Sequence, residues 1–136
     1  MNDEQYMRRA LELAKRAQDE GEVPIGAVLV LQGEIIGEGW NRPIAASDPT
    51  AHAEIQAMRA AALARRNYRL TGASLYVTLE PCEMCVGAMF HARIARAVYG
   101  ATDPKKQVLR NQVVLQGGVL AAECGSLLSS FFAAKR

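Results

Sequence analysis

SLYVTLEPCEMC, residues 74–85, holds a strand, a break and the start of a helix in one short stretch. Ser74 to Leu79 is a brief apolar run of the kind that forms a strand covered on both faces. Glu80-Pro81 ends it, because proline belongs at or before the first helical turn. A helix from Cys82 to His91 follows. Its spacing sets Cys82 and Cys85 on one face at the positive end of the helix. That field favours thiolate over thiol, the form a metal requires of a cysteine ligand.

Upstream, the chain makes a similar transition at His52-Ala53-Glu54. Ser47, Asp48 or Thr50 can cap a helix running from about Ala51 to Arg66, with Ile55, Met58 and Ala62 facing the core. Residues two apart in mid-helix point to nearly opposite sides. His52 and Glu54 can therefore serve one site only if His52 stands in the entering turn.

The two clusters read H-x-E and P-C-x-x-C, the signature of zinc deaminases. Zn²⁺ takes nitrogen and sulfur ligands in a tetrahedron, and a catalytic zinc keeps its fourth position for water. His52, Cys82 and Cys85 supply three ligands, and Glu54 is left to move protons. Zinc lowers the pKa of bound water to about 7, so hydroxide exists at neutral pH. A lone C-x-x-C could instead be a redox dithiol or half of a structural zinc site. A closed structural site needs a fourth ligand, and the spare candidates are His91 and Cys124. His91 lies nearly two helical turns past Cys85. Cys124 sits in an apolar helical stretch where a buried, inert thiol is the ordinary reading. A thioredoxin-like dithiol leaves His-x-Glu unexplained, so an open catalytic site is the better reading.

The rest of the chain alternates helices and strands. Asp3 to Glu20 carries Tyr6, Ala10, Leu13, Ala14 and Ala17 at helical spacing, and Gly21 ends it. Strands are expected at 25–31 and 34–40, joined by a tight turn at Gln32-Gly33. Gly37 and Gly39 suggest an edge or a bulge. Asn41 to Pro49 reads as loop. Ile94 to Tyr99 and Gln112 to Leu115 are further strands. Val119 to Lys135 is a final helix with Leu120, Cys124, Leu127, Leu128 and Phe131 on one stripe. This order argues an α/β layered sheet, with the ligand clusters near the strand ends where such folds place active sites.

Size and composition set outer bounds. The chain has 136 residues, 50% hydrophobic and 22% charged, which suits one globular domain over 1–136. A net charge of +2 permits a nucleic-acid partner without demanding one. Three cysteines, two in a metal-type pair, suggest a reducing compartment. The polar start Met1-Asn2-Asp3-Glu4 is no signal peptide. No apolar run approaches the roughly 20 residues of a membrane helix. The default location is the cytoplasm.

The segments EVPIGAVLV, GEGWNRPI, DPTAHAEIQAMRAA, LYVTLEPCEMCVGAM, HARIARAVYGA and GGVLAAECGSLLSSFF resemble the bacterial tRNA-specific adenosine deaminases, within the cytidine deaminase-like superfamily. The resemblance implies a three-layer α/β/α fold with a mixed five-stranded sheet. It implies hydrolytic, zinc-dependent conversion of adenosine to inosine at the wobble position of an arginine tRNA anticodon. Hydroxide would add at C6 with Glu54 as proton shuttle. One Zn²⁺ per subunit would be held by His52, Cys82 and Cys85. Asn41 matches a residue that hydrogen-bonds base and ribose, and Val28 and the Ala53 backbone match pocket positions. The family is homodimeric and binds the tRNA anticodon loop. Asp103, Lys105, Lys106, Phe132 and Arg136 are the corresponding candidates for RNA contact.

One departure stands out. Between Tyr99 and Gln112 the family usually carries about a dozen more residues, including a short helix, and a parallel connection normally needs a dozen or more. Here either a very short helix from Lys105 to Arg110 makes the crossing, or the last strand is altered. Substrate range is therefore more open than the chemistry. A deaminase of cytosine, guanine or single-stranded DNA bases is one alternative, and a non-catalytic zinc-stabilised RNA-binding module is another.

Overall fold

Asn2 opens the first helix with a reciprocal cap. Its side chain accepts the Gln5 N–H at 3.0 Å, and the Gln5 side chain accepts the Asn2 N–H at 2.8 Å. The computed structural model describes residues 1–104 and 113–135. Helix α1 spans Asp3–Asp19 and leads to strands β1 (Gly26–Leu31) and β2 (Glu34–Trp40). The one-turn helix α2 (Pro43–Ala46) and helix α3 (Ala53–Arg65) come next. Then follow β3 (Ser74–Leu79), α4 (Glu83–His91), β4 (Arg96–Ala101), β5 (Val114–Gln116) and α5 (Ala121–Ala134).

The strands form one mixed sheet in the order β2-β1-β3-β4-β5. β1 runs antiparallel to β2 and β3, while β3, β4 and β5 are mutually parallel. Side chains alternate across β1. Ala27 and Leu29 pack with α3 and α4 on one face. Val28 and Val30 pack with α1 and α5 on the other. The result is the expected α/β/α layering.

Several local expectations shift. The stretch after Asn41 contains α2, started by Pro43 in its first turn. β4 begins at Arg96 rather than Ile94. Arg93 is left-handed (φ 65°), and the Ile94 N–H bonds back to the Met89 carbonyl at 3.0 Å, so these residues finish α4. β5 starts at Val114 and spans three residues. It pairs in parallel with β4, so residues 102–113 make the whole crossing. The helix expected from Lys105 to Arg110 lies outside the described residues.

Helix α3 buries Ala53, Glu54, Ala57, Met58 and Ala61, whereas Ile55 and Ala62 are only partly covered. The reason is β2. A Cβ at Gly37 would strike the Ala57 carbonyl oxygen, and one at Gly39 would strike that of Ala53. Small residues on both partners let the helix backbone lie on the edge strand. A register shift between Leu29 and Val30 bends the same strand pair. Among the described residues, no helix is long and apolar enough to cross a membrane.

Candidate metal centre and active site

His52 is the N-cap of α3 and Cys82 the N-cap of α4, both in extended backbone (ψ 155° and 170°). Neither makes a side-chain cap bond to its own helix. The turn into α3 thus meets the geometric demand on H-x-E: His52 stands before the helix and Glu54 within its first turn. Cys85 lies in the first turn of α4.

Together these elements bring the His52 Nδ1 to 3.6 Å from both the Cys82 and Cys85 sulfurs. All three donor atoms lie within 4.8 Å of one another, and among the described residues no fourth such group joins them. Zn–N bonds of about 2.0–2.1 Å and Zn–S bonds of about 2.3 Å, set tetrahedrally, require an N···S separation of about 3.6 Å. The donor set therefore fits zinc in both chemistry and spacing.

The sulfurs divide one proton unequally. A hydrogen bond from Cys85, helped by His52, holds the Cys82 thiol down to about 3 against the opposing effect of burial. The same Cys82 contact, then burial and the nearby Glu54 carboxylate, push the Cys85 thiol far above its ordinary range. Glu54 thus sits in hydrogen-bonding range of Cys85. It is only 4% exposed, which is unusual for an acid without work to do.

Asn41 is buried at the end of β2. Its Oδ1 accepts the Ala53 N–H at 2.8 Å, and its own N–H bonds to the Ile25 carbonyl at 3.0 Å. The Ala53 backbone is thereby committed to Asn41. Val28 is a different case. Strand alternation turns it toward α1, in the core opposite the face that holds Ala53 and Cys85. Beside the ligand turn, Val23, Leu79, Asp103 and Phe132 line a cleft of about 310 Å³. Phe132 is exposed, with its ring edge-to-face on Phe131. Lys105, Lys106 and Arg136 lie outside the described residues.

Sequence reasoning missed Val23 and Leu79, apolar residues just outside β1 and at the end of β3. It also gave Glu80 no role beyond the break that ends β3. The structure buries Glu80 and uses it to accept the Asp103 N–H at 3.0 Å, tying the exit of β4 to the ligand turn. Its position directly after a buried strand was the available signal.

A family model of the cytidine and deoxycytidylate deaminase zinc-binding region matches residues 1–101. The chain is 50% identical to a tRNA-specific adenosine deaminase of Haemophilus influenzae, over 98% of this chain and 85% of that protein. It is 44% identical to one of Bacillus subtilis, over 96% of this chain and 88% of that protein. A solved structure from work on A-to-I editing by tRNA:A34 deaminases at the wobble position of transfer RNA superposes with a TM-score of 0.85. It is 41% identical and covers 91% of this chain and 99% of that one. The paired helix starts, their nitrogen and sulfur donors, the buried acid and matches across nearly the whole chain have one meaning: this chain belongs to the tRNA-specific adenosine deaminases of the cytidine and deoxycytidylate deaminase zinc-binding family.

Proposed function

We propose that the chain hydrolytically deaminates adenosine to inosine at the wobble position of a tRNA anticodon, that of an arginine tRNA. The observation that carries this reading is Glu54, buried against Cys85 in the cluster where His52 faces both sulfurs. Zinc, when bound by His52, Cys82 and Cys85, supplies the Lewis acid that makes hydroxide available from water at neutral pH. Glu54 takes the proton of the water that adds to C6. It passes that proton to the ring nitrogen, then carries the proton left on the added hydroxyl to the amine, so the C6–N bond breaks, ammonia leaves and inosine remains. Asn41, with its Oδ1 on the Ala53 amide, offers its Nδ2 to base and ribose. The target base must leave its stack, which costs a few kcal/mol and least in an unpaired loop.

Asp103 and Phe132, in the cleft beside the ligand turn, are our candidates for RNA contact, with Lys105, Lys106 and Arg136. We also infer a homodimer with one zinc per subunit. A second cleft of about 400 Å³, lined by Ile55, Met58, Tyr68, Leu70 and Ala88, lies between α3 and α4. Exposed Leu63, Tyr68 and Phe90 extend its apolar surface, and a second copy would cover it. Residues 1–136 would form one domain, and the cytoplasm is the compartment that fits a tRNA substrate.

The test is zinc-loaded protein incubated with an anticodon stem-loop, with free adenosine, and with a Glu54→Ala control. Inosine in the stem-loop but not from free adenosine supports the reading. Turnover of free nucleosides or bases alone would move the assignment to a small-molecule deaminase. Zinc bound without any turnover would leave a non-catalytic RNA-binding module.

A further inference from the structure

We propose that Glu22 is a positioning residue for the substrate: its buried carboxylate fixes the loop between Asn41 and His52 and presents that loop to the RNA. The proposal rests on the adenosine-in-RNA reading above. Glu22 lies between α1 and β1 and is only 2% exposed. A carboxylate buried this deeply is costly unless hydrogen bonds satisfy its oxygens. Both oxygens are satisfied from one place. The Ile44 N–H donates to Oε1 at 3.2 Å and the Ala45 N–H to Oε2 at 2.8 Å.

Those amides belong to α2, which has no cap of its own. Arg42 at its N-cap makes no side-chain cap bond, and Pro43 brings no N–H. Glu22 thus performs from a distance the work a local cap would do. Glu20 grips the same stretch from outside. It accepts from the Trp40 indole at 3.0 Å and pairs with Arg42 at 3.6 Å. Asn41 therefore sits between two held residues, and the Arg42 N–H closes the loop on the Ala51 carbonyl at 3.0 Å.

The consequence reaches the site by two routes. One is Asn41, whose side chain meets the first amide of α3 between His52 and Glu54. The other is Ile44, whose amide Glu22 holds and which is 73% exposed as a residue. A large apolar side chain on a pinned, one-turn helix is suited to contact a base or ribose beside the target. Val23, next in sequence, lines the cleft with Leu79 and Asp103.

The experiment combines steady-state kinetics on an anticodon stem-loop, zinc content and backbone amide exchange for wild type, Glu22→Ala, Glu22→Gln and Ile44→Ser. Glu22→Ala should raise KM about tenfold, the worth of one hydrogen bond, with kcat little changed. Zinc content should stay at the wild-type level, and exchange at Ile44 and Ala45 should quicken. Glu22→Gln keeps one acceptor at the same reach but turns its NH2 toward the other N–H, so its KM should fall between wild type and Glu22→Ala. Ile44→Ser, at an exposed side chain that leaves the fold intact, should raise KM in the same direction. Wild-type KM in Glu22→Ala and Ile44→Ser overturns the proposal. So does a parallel fall in kcat and zinc content, or unchanged exchange at Ile44 and Ala45. A wild-type protein silent on the stem-loop overturns the functional reading instead, and the exchange rates still decide whether Glu22 holds the loop.

Discussion

The Asn41 Oδ1 lies 2.8 Å from the Ala53 nitrogen and accepts its N–H, so a residue at the end of β2 caps the start of α3. This leaves the actual N-cap, His52, to turn its imidazole toward the two sulfurs. Structure and chemistry are thereby divided between two residues. Asn41→Ala should lose about 1 kcal/mol of stability, the usual worth of a cap, and most of the activity. Asn41→Asp keeps an acceptor for Ala53 but loses the Nδ2 donor. Urea unfolding of Asn41→Asp should therefore match wild type while its KM for the stem-loop rises. Equal losses of stability in the two variants would deny the division of labour.

Glu54 is expected to act on protons and not on the metal. Glu54→Ala should retain about one zinc per chain and lose at least the 10²–10⁴-fold that general acid–base assistance typically supplies. Zinc analysis alongside single-turnover kinetics measures both. A variant that loses its zinc would show the carboxylate to be a ligand.

Zinc should also stabilise the fold, since it would join the start of α3 to the start of α4 through His52, Cys82 and Cys85. A ligand that binds only the folded chain adds about 4 kcal/mol when present at a thousandfold excess over its Kd. Chelation should lower the melting temperature accordingly, and added Zn²⁺, but not Mg²⁺, should restore it. Melting that ignores the chelator would contradict the assigned donor set.

The cluster was legible in the sequence because its signal is local: residue types and spacings that place donors at helix starts. The order of helices and strands was legible for the same reason. What escaped depends on which backbone each residue meets. Gly37 and Gly39 marked an edge or a bulge, and β2 is an edge strand with a register shift, but their further role, the close approach of α3, was not legible. The amides that Glu22 and Glu80 accept from reach them only in the fold, which local spacing does not show. Val28 was assigned to the pocket by resemblance, but it is fully buried in the core beneath α1 and does not line the cleft, whereas Val23 does.

The glycine reading is directly testable. A methyl at Gly39 would meet the backbone of Ala53 and Ala57, which cannot rotate away as a side chain would. Gly39→Ala should destabilise by about 1–3 kcal/mol or more. It should also disturb the site, because Ala53 lies between His52 and Glu54. Gly33→Ala, in the turn between β1 and β2 (φ 80°), has open space around the new methyl. It should cost only backbone strain and leave kcat unchanged. Similar losses of activity in both would mean that the strain of β2, not the contact with α3, governs the effect.

The opposite end of the sheet offers a pH test free of the metal. The Asp3 carboxylate accepts from the Tyr76 hydroxyl at 2.6 Å and from the Arg96 guanidinium at 2.8 Å. The Tyr76 bond first, and Arg96 after it, hold Asp3 below its ordinary value of 3.8 against the opposing effect of burial. A depressed folded value means that the contact stabilises fully above the unfolded value. That stability is lost as pH falls through the folded value. Both side chains are partly exposed, so its worth is at most about 1 kcal/mol. Wild type should therefore exceed Asp3→Asn in urea stability at pH 7. The gap should begin to close below about pH 4, near the unfolded value, and vanish at lower pH. Loss of zinc in acid affects both proteins alike and cancels in the difference. A gap that stays constant to pH 2 would show that the stabilisation does not come from the ionised Asp3 carboxylate, and would deny it to the contact with Tyr76 and Arg96.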